Sequence, residues 1–273
     1  MLKLAFSSCP NDTFMFNGIV SGVIPVTWPL SVRIGDIEEL NQWAFAGETD
    51  ITKLSFFAFF QLADQYVMLN SGAALGRGCG PLIISRQPIL EDELKNMRVA
   101  VPGLNTTAFL LFKTYCPECT KLVPMLFSDI EQAILNKEVD AGVIIHETRF
   151  TYQLRGLQKL VDLGEWWETT TGHPIPLGCI AVKRELADEV GIKFDTALRK
   201  SVEQAFRDRE STYPFVRKHA KELDLPVIAA HINLYVNNFS ISLGDAGQKA
   251  VRYLYRAAHR AGLVKLQRND IFL

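Results

Sequence analysis

The chain is predicted to fold as an α/β protein of two lobes joined by two crossover strands, with a ligand cleft between the lobes. Three observations carry this expectation. Short apolar runs rich in β-branched residues alternate with stretches of helical spacing through the first two thirds of the chain, the pattern of an open α/β sheet. A strand, a turn and a helix start bearing hydroxyls or amides appear once in each half, at LKLAFS-SCPNDTF near the start and at RVAV-PGLNTTAF from residue 98. Two segments open on Pro-Leu and continue as a short apolar strand, PLIIS from Pro81 and PLGCIAV from Pro176. They read as one exit from the first lobe and one return. The lobes so bounded are residues 1–83 with 178–273, and residues 84–177.

Composition limits the function classes. With 273 residues the chain can build one large core or two modest ones. A hydrophobic fraction of 48% and a charged fraction of 22% are those of an ordinary globular protein. Net charge is -1 with Lys and Arg scattered, so neither a nucleic-acid footprint nor a polybasic membrane patch is expected. The most apolar stretch, LSFFAFF at residues 54–60, is far too short to span a bilayer. MLKLAFSSCPND lacks the long apolar core of a secretory signal, so a cytosolic protein is expected. Five cysteines, an odd number, argue against a disulfide framework in that compartment. Cys116 and Cys119 have the spacing of half a zinc site, but no second pair accompanies them. Cys9 and Cys79 sit among small residues, where cysteine often packs. The expected partner is a small carboxylated molecule, and a homodimer is compatible with the sequence.

Taken in order, Leu2–Ser7 is the first strand, and TFMFNGIVSG is a short helix ended by Gly22, with Asn11 or Asp12 suited to cap it. Residues 31–37 form a second strand and 37–46 a helix. Residues 50–54 form a strand running into Ser55 and an apolar helix, which puts Lys53 and Ser55 at a strand-to-helix junction. An ammonium and a hydroxyl there suit a carboxylate or hydroxyl ligand. The segment SGAALGRGCG matches neither GxxxxGK[ST] nor GxGxxG. Its Arg77 faces either a ligand carboxylate or solvent. Strands follow at 81–85 and 98–101, then an amphipathic helix capped by Asn105 or Thr106, a strand at 122–127 and a helix at 130–135.

The stretch DAGVIIHETR organises the rest. Its β-branched run reads as a buried strand that ends at His146. Ligands of open α/β sheets sit beyond the carboxyl ends of strands, and an imidazole there can move a proton near neutral pH. Residues 148–155 read as a loop, 157–163 as a strand and 164–171 as a helix whose Trp166 and Trp167 pack. Beyond the returning strand the chain is helical at 197–207, 213–223, 227–239 and 245–261. His219, His231 and His259 on these helices read as surface or packing histidines.

SSCPNDTFMF, ITKLSFFAF, NSGAALGRGCGPLII, VAVPGLNTTAFLL, AGVIIHETRFTY, DLGEWWE, PIPLGCIAV and HINLYVNNFS stand in this order over nearly the whole chain. Together they resemble the 1,4-dihydroxy-6-naphthoate synthase family of the futalosine route to menaquinone. The resemblance implies a two-lobed fold like a type 2 periplasmic binding protein, used as an enzyme. It implies a lyase that opens cyclic dehypoxanthine futalosine with no cofactor and no metal. It also implies His146 as general base, with substrate contacts from Lys53, Leu54, Ser55, Thr107 and Ala108. Position alone adds Asn11 and Arg77 as substrate-binding candidates. Asp12, Thr107 and Arg149 stand unranked as late proton donors. A non-catalytic solute-binding protein and the chorismate dehydratase of the same pathway are the alternatives. The first lacks an expected export signal here, and the IIHE motif speaks against the second.

Overall fold

The structure is a computed structural model and describes residues 1–220, 224–265 and 268–273. The first elements are β1 (Leu2–Ser7), α1 (Pro10–Val20), β2 (Leu30–Gly35), α2 (Ile37–Phe45), β3 (Ile51–Ser55) and α3 (Phe56–Gln61). Next come β4 (Tyr66–Met68), β5 (Ala74–Gly76), β6 (Leu82–Ser85), β7 (Val99–Val101), α4 (Thr107–Tyr115), β8 (Leu122–Pro124) and α5 (Ile130–Leu135). The middle of the chain holds β9 (Ala141–Ile144), α6 (Thr148–Thr151), β10 (Gln158–Asp162), α7 (Leu163–Thr171) and β11 (Ile175–Lys183). The remainder is α8 (Ile192–Arg207), α9 (Tyr213–His219), α10 (Leu225–Tyr235), α11 (Asn238–Ile241) and α12 (Gly244–Arg260).

The chain divides into two compact units, Met1–Gly76 with Pro176–Leu273, and Arg77–Ile175. The first unit holds a sheet in the order β2-β1-β3-β11-β4, with β5 paired to β11. β1 runs parallel to β2 and β3, and β11 runs antiparallel to β3 and β4. Its core joins Leu4, Phe6, Ile51, Ile180 and Val182 of the sheet to Phe14 and Phe16 of α1 and Phe194 and Leu198 of α8. Phe6 stacks on Phe16 with ring centroids 4.4 Å apart. Each such side chain contributes about 1.5–3 kcal/mol by leaving water.

The second unit holds a sheet in the order β10-β6-β9-β7-β8. β7 is parallel to both β8 and β9, while β6 is antiparallel to β9 and β10. Ile84, Ala100 and Ile144 of this sheet pack with Ile130 and Ile134 of α5 and with Tyr152. Trp167 is buried, and Trp166 meets Tyr115 edge-on at 5.3 Å, so both tryptophans pack, as their sequence suggests.

Four sequence expectations are corrected. The N-cap of α1 is Cys9, not Asn11 or Asp12, because Pro10 occupies the first helical position, where its fixed φ and missing N–H fit. Residues 148–155 are not a loop but α6 followed by a 3₁₀ turn at Tyr152–Arg155. The helix expected at 227–239 is interrupted between α10 and α11. There Asn237 Oδ1 accepts from Phe239 N–H and Ser240 Oγ accepts from Asn237 N–H, starting a new turn. Cys116 and Cys119 form a disulfide, because the turn after α4 holds their Cα atoms 5.6 Å apart, within disulfide reach. The end of the helix expected at 213–223 lies, from 221 to 223, outside the described residues.

Candidate functional site

In the first unit, β3 and the start of α1 place a buried polar cluster. The Lys53 Nζ donates to Asp12 Oδ1 at 2.7 Å, with the two side chains 6% and 0% exposed. Lys53 is thus not the solvated surface lysine that its residue type suggests. Asp12 Oδ1 also accepts from Asn11 Nδ2 at 2.8 Å, and Oδ2 accepts from the backbone N–H and the hydroxyl of Ser7. Asp12 is therefore an acceptor on both oxygens and is not placed as a proton donor.

Lys53 and Ser55 stand two apart on β3 and share a face of the sheet, whereas Leu54 points the other way into the core. Ser55 is held by Asn41 of α2, whose Oδ1 accepts from Ser55 N–H at 3.0 Å and whose Nδ2 donates to Ser55 Oγ at 3.3 Å. Gly178 of β11 lies opposite Ser55 in register. A Cβ there would stand 2.9 Å from Lys53 Cε and 3.0 Å from the Leu54 carbonyl oxygen, so the lysine stem needs a glycine beside it.

In the second unit, β7 and β9 are parallel neighbours, so their carboxyl ends share one edge of the sheet. After β7 the chain turns into α4. Thr106 caps this helix, accepting from Phe109 N–H at 3.2 Å and donating to the Gly103 carbonyl at 2.9 Å. Thr107 and Ala108 form its first turn and are buried. After β9 comes His146, with φ +60, in the left-handed region. Among the described residues, Lys137 is the one other non-glycine there, at φ 66, and it ends α5 as helix C-termini commonly end. His146 has no helix to end. Such outliers cluster at functional sites, where surrounding structure holds them. Its ring meets Phe127 edge-on at 4.8 Å.

Two further candidates are occupied elsewhere in this unit. Arg77, with its side chain 58% exposed, reaches Glu168 at 3.4 Å and donates to the Gly172 carbonyl at 2.9 Å, at the end of α7. Arg149 donates to the Gly80 carbonyl and, at 2.6 Å, to Asp162 Oδ2, while Asp162 Oδ1 caps α7 through the N–H groups of Gly164 and Glu165. A Cβ on Gly80 would fall 2.3 Å from the Gly164 Cα. Arg149 thus ties two closely packed backbone segments together, a structural role. Cys79 is buried, and burial pushes its thiol up to about 12, so it is no thiolate nucleophile near neutral pH. Burial likewise pushes the Cys179 thiol upward.

Three buried side chains of this cluster escape the sequence reading: Asp12 as the lysine's partner, Asn41 and His231. His231 is fully buried, and its Nε2 lies 3.0 Å from Asn11 Oδ1, which corrects its assignment to the surface or to simple packing. A signal for two of them is present in the sequence. Asn41 falls in the stripe Ile37, Leu40, Asn41, Ala44, and His231 in the stripe Ile228, His231, Ile232, Tyr235. A polar residue inside an apolar stripe at i, i+3, i+4, i+7 goes to the core and needs a partner there.

Residues 2–260 match the sequence profile of a family described as menaquinone biosynthesis. A 1,4-dihydroxy-6-naphthoate synthase of Thermus thermophilus is 43% identical over 272 residues, covering 100% of this chain and 99% of the relative. One of Streptomyces coelicolor is 42% identical over 268 residues, covering 96% and 94%. A crystal structure of a protein from Archaeoglobus fulgidus superposes with a TM-score of 0.91 at 35% identity, covering 96% of this chain and 98% of the other. A periplasmic aliphatic sulphonate binding protein of Escherichia coli superposes with a TM-score of 0.68 at 13% identity, covering 100% and 91%. That likeness concerns the fold alone, which is periplasmic-binding-protein-like.

Proposed function

The chain belongs to the menaquinone-biosynthesis family, and we propose that it converts cyclic dehypoxanthine futalosine to 1,4-dihydroxy-6-naphthoate with His146 as general base. The enzyme class, a lyase of the 1,4-dihydroxy-6-naphthoate synthase kind, follows from two relatives matched over 99% and 94% of their length. The observation that carries the assignment of the base is the backbone of His146. A histidine held at φ +60 just beyond a buried strand, on the sheet edge that also carries the start of α4, is placed there at an energetic cost.

The chemistry assigns the remaining roles. The reaction removes protons beside carbonyl-like centres, breaks carbon–carbon bonds and ends in an aromatic ring, whose formation drives it. A base that titrates near neutral pH suits those proton transfers. The substrate's carboxylate calls for a buried cation, and Lys53 supplies one. Its ammonium has three hydrogens, and among the described residues Asp12 Oδ1 is its one acceptor. Ser55, oriented by Asn41, and the α4 start at Thr107 and Ala108 are read as further substrate contacts. No described helix is long and apolar enough to cross a membrane. The reading places the enzyme in the cytosol, acting on a soluble small molecule.

The test is mass spectrometry of the purified protein incubated with cyclic dehypoxanthine futalosine. Dihydroxynaphthoate is expected from the wild type and none from His146→Ala. Substrate recovered unchanged with the wild type would overturn the reading, and conversion of chorismate to 3-enolpyruvylbenzoate would replace it with the dehydratase. Normal turnover by His146→Ala would remove the histidine's role while leaving the reaction in place.

A further inference from the structure

A directed chain of hydrogen bonds runs through the first unit from α10 to β3. Its direction follows from the groups themselves. An ionised Asp12 facing the Lys53 ammonium can only accept, so the side of the Asn11 amide against it, 2.8 Å away, is the Nδ2 donor. The opposite side of that amide, Oδ1, is then the atom facing His231 Nε2 at 3.0 Å, and Nε2 carries the proton and donates. His231 Nε2–H therefore points to Asn11 Oδ1, Asn11 Nδ2–H to Asp12 Oδ1, and Lys53 Nζ–H to the same Asp12 oxygen.

The chain closes off the alternative arrangements of the cluster. If the Asn11 amide turned over, its oxygen would face the Asp12 carboxylate and its NH₂ would face the His231 donor. The contact with the carboxylate would be lost whichever tautomer His231 took, and Asp12 would keep only the Ser7 donors on Oδ2 and the Lys53 ammonium on Oδ1. With His231 Nε2 donating, this one orientation of the Asn11 amide keeps both of its contacts, and hydrogen bonds so linked in the interior restrain one another. Lys53 lies at its end with its stem passing Gly178.

We infer that His231 is a positioning residue, which acts through Asn11 and Asp12 to fix the Lys53 ammonium for the substrate's carboxylate. This rests on the assignment of Lys53 as the cation of the proposed reaction. The competing role is packing, since the His231 ring also lies against Tyr235 with centroids 4.6 Å apart.

Two substitutions separate these roles. His231→Phe keeps an aromatic ring against Tyr235 and removes the donor. His231→Gln loses the ring and returns an N–H near the position of Nε2. The positioning role predicts that His231→Phe raises KM for cyclic dehypoxanthine futalosine about tenfold, the scale of one weakened charge-assisted contact, and changes kcat by less than about twofold. His231→Gln restores KM toward the wild-type value. Normal KM in His231→Phe with a raised KM in His231→Gln would overturn the inference in favour of packing. Should His231→Phe fail to fold, the test passes to Asn11→Ala with and without His231→Gln. The glutamine is expected to be silent in the Asn11→Ala background, because the chain is already cut, and a further rise in KM there would also overturn the inference. Lys53→Met tests the premise separately. An unchanged KM in Lys53→Met would remove the lysine's role and the inference with it. A raised KM in Lys53→Met beside a normal one in both His231 variants would remove the inference alone.

Discussion

Lys53 Nζ lies 2.7 Å from Asp12 Oδ1 with both side chains out of water, although the two residues stand 41 apart in the chain. A buried pair of this kind is held less by its net attraction than by the cost of leaving either charge alone. Asp12→Asn or Lys53→Met should each destabilise the protein by about 3–5 kcal/mol, while the double variant loses less than the sum. Urea unfolding of the four proteins measures this, and simple additivity would show that the two charges are not energetically coupled.

The backbone of His146 separates stability from activity. Alanine at this position keeps the left-handed conformation and its strain, and glycine removes the strain. His146→Gly should be more stable than His146→Ala by about 1 kcal/mol, while both lose turnover. Equal midpoints for the two variants in thermal unfolding would mean that the surrounding residues do not hold the residue at positive φ.

Glu131 on α5 gives the fold a pH dependence. Its carboxyl is buried, and burial raises it above the usual carboxylate range, offset in part by the Arg155 guanidinium at 3.5 Å. A carboxyl raised in the folded state binds its proton more tightly there than in the unfolded chain. Its contribution to stability is thus complete below the ordinary glutamate range and fades as pH rises through the folded value. Relative to Glu131→Gln, which does not titrate, the wild type should gain stability as pH is lowered from 7 to 4. A difference in melting temperature that stays constant or reverses over that range would contradict the desolvated environment.

The cysteines divide by geometry. Cys116 and Cys119 are bonded, whereas Cys9, Cys79 and Cys179 are buried thiols outside any disulfide. Unfolded without reductant, the chain should yield three reactive thiols, and after reduction five. In the native protein Cys79 should resist alkylation at pH 8, since burial both shields its thiol and keeps it protonated. Five thiols without reductant would exclude the disulfide.

Much of this protein is legible in its sequence, because strands, helices and turns are local consequences of side-chain periodicity and backbone preference. The β-branched run before His146 and the apolar stripe of α12 through Val251, Leu254, Tyr255 and Ala258 appear in the structure where the sequence puts them, and of the two caps the sequence offers for α4, Asn105 or Thr106, the structure has Thr106. The ordered motifs also identify the family. Where local preferences compete, boundaries move, as at Pro10 before α1 and Asn237 after α10. What the tertiary structure alone decides is pairing. Lys53 reads as a ligand contact in the sequence, but only the fold shows the Asp12 carboxylate that meets it, and His231 reads as a surface or packing residue until its Nε2 meets Asn11 Oδ1, 220 residues away in the chain. Arg149 stands in the sequence as one of three unranked late proton donors, and the fold bonds it to Asp162 and the Gly80 carbonyl. Periodicity says that a polar side chain goes inside, but its partner depends on which distant strands and helices pack together, since a buried polar group must be satisfied by whatever the fold brings to it.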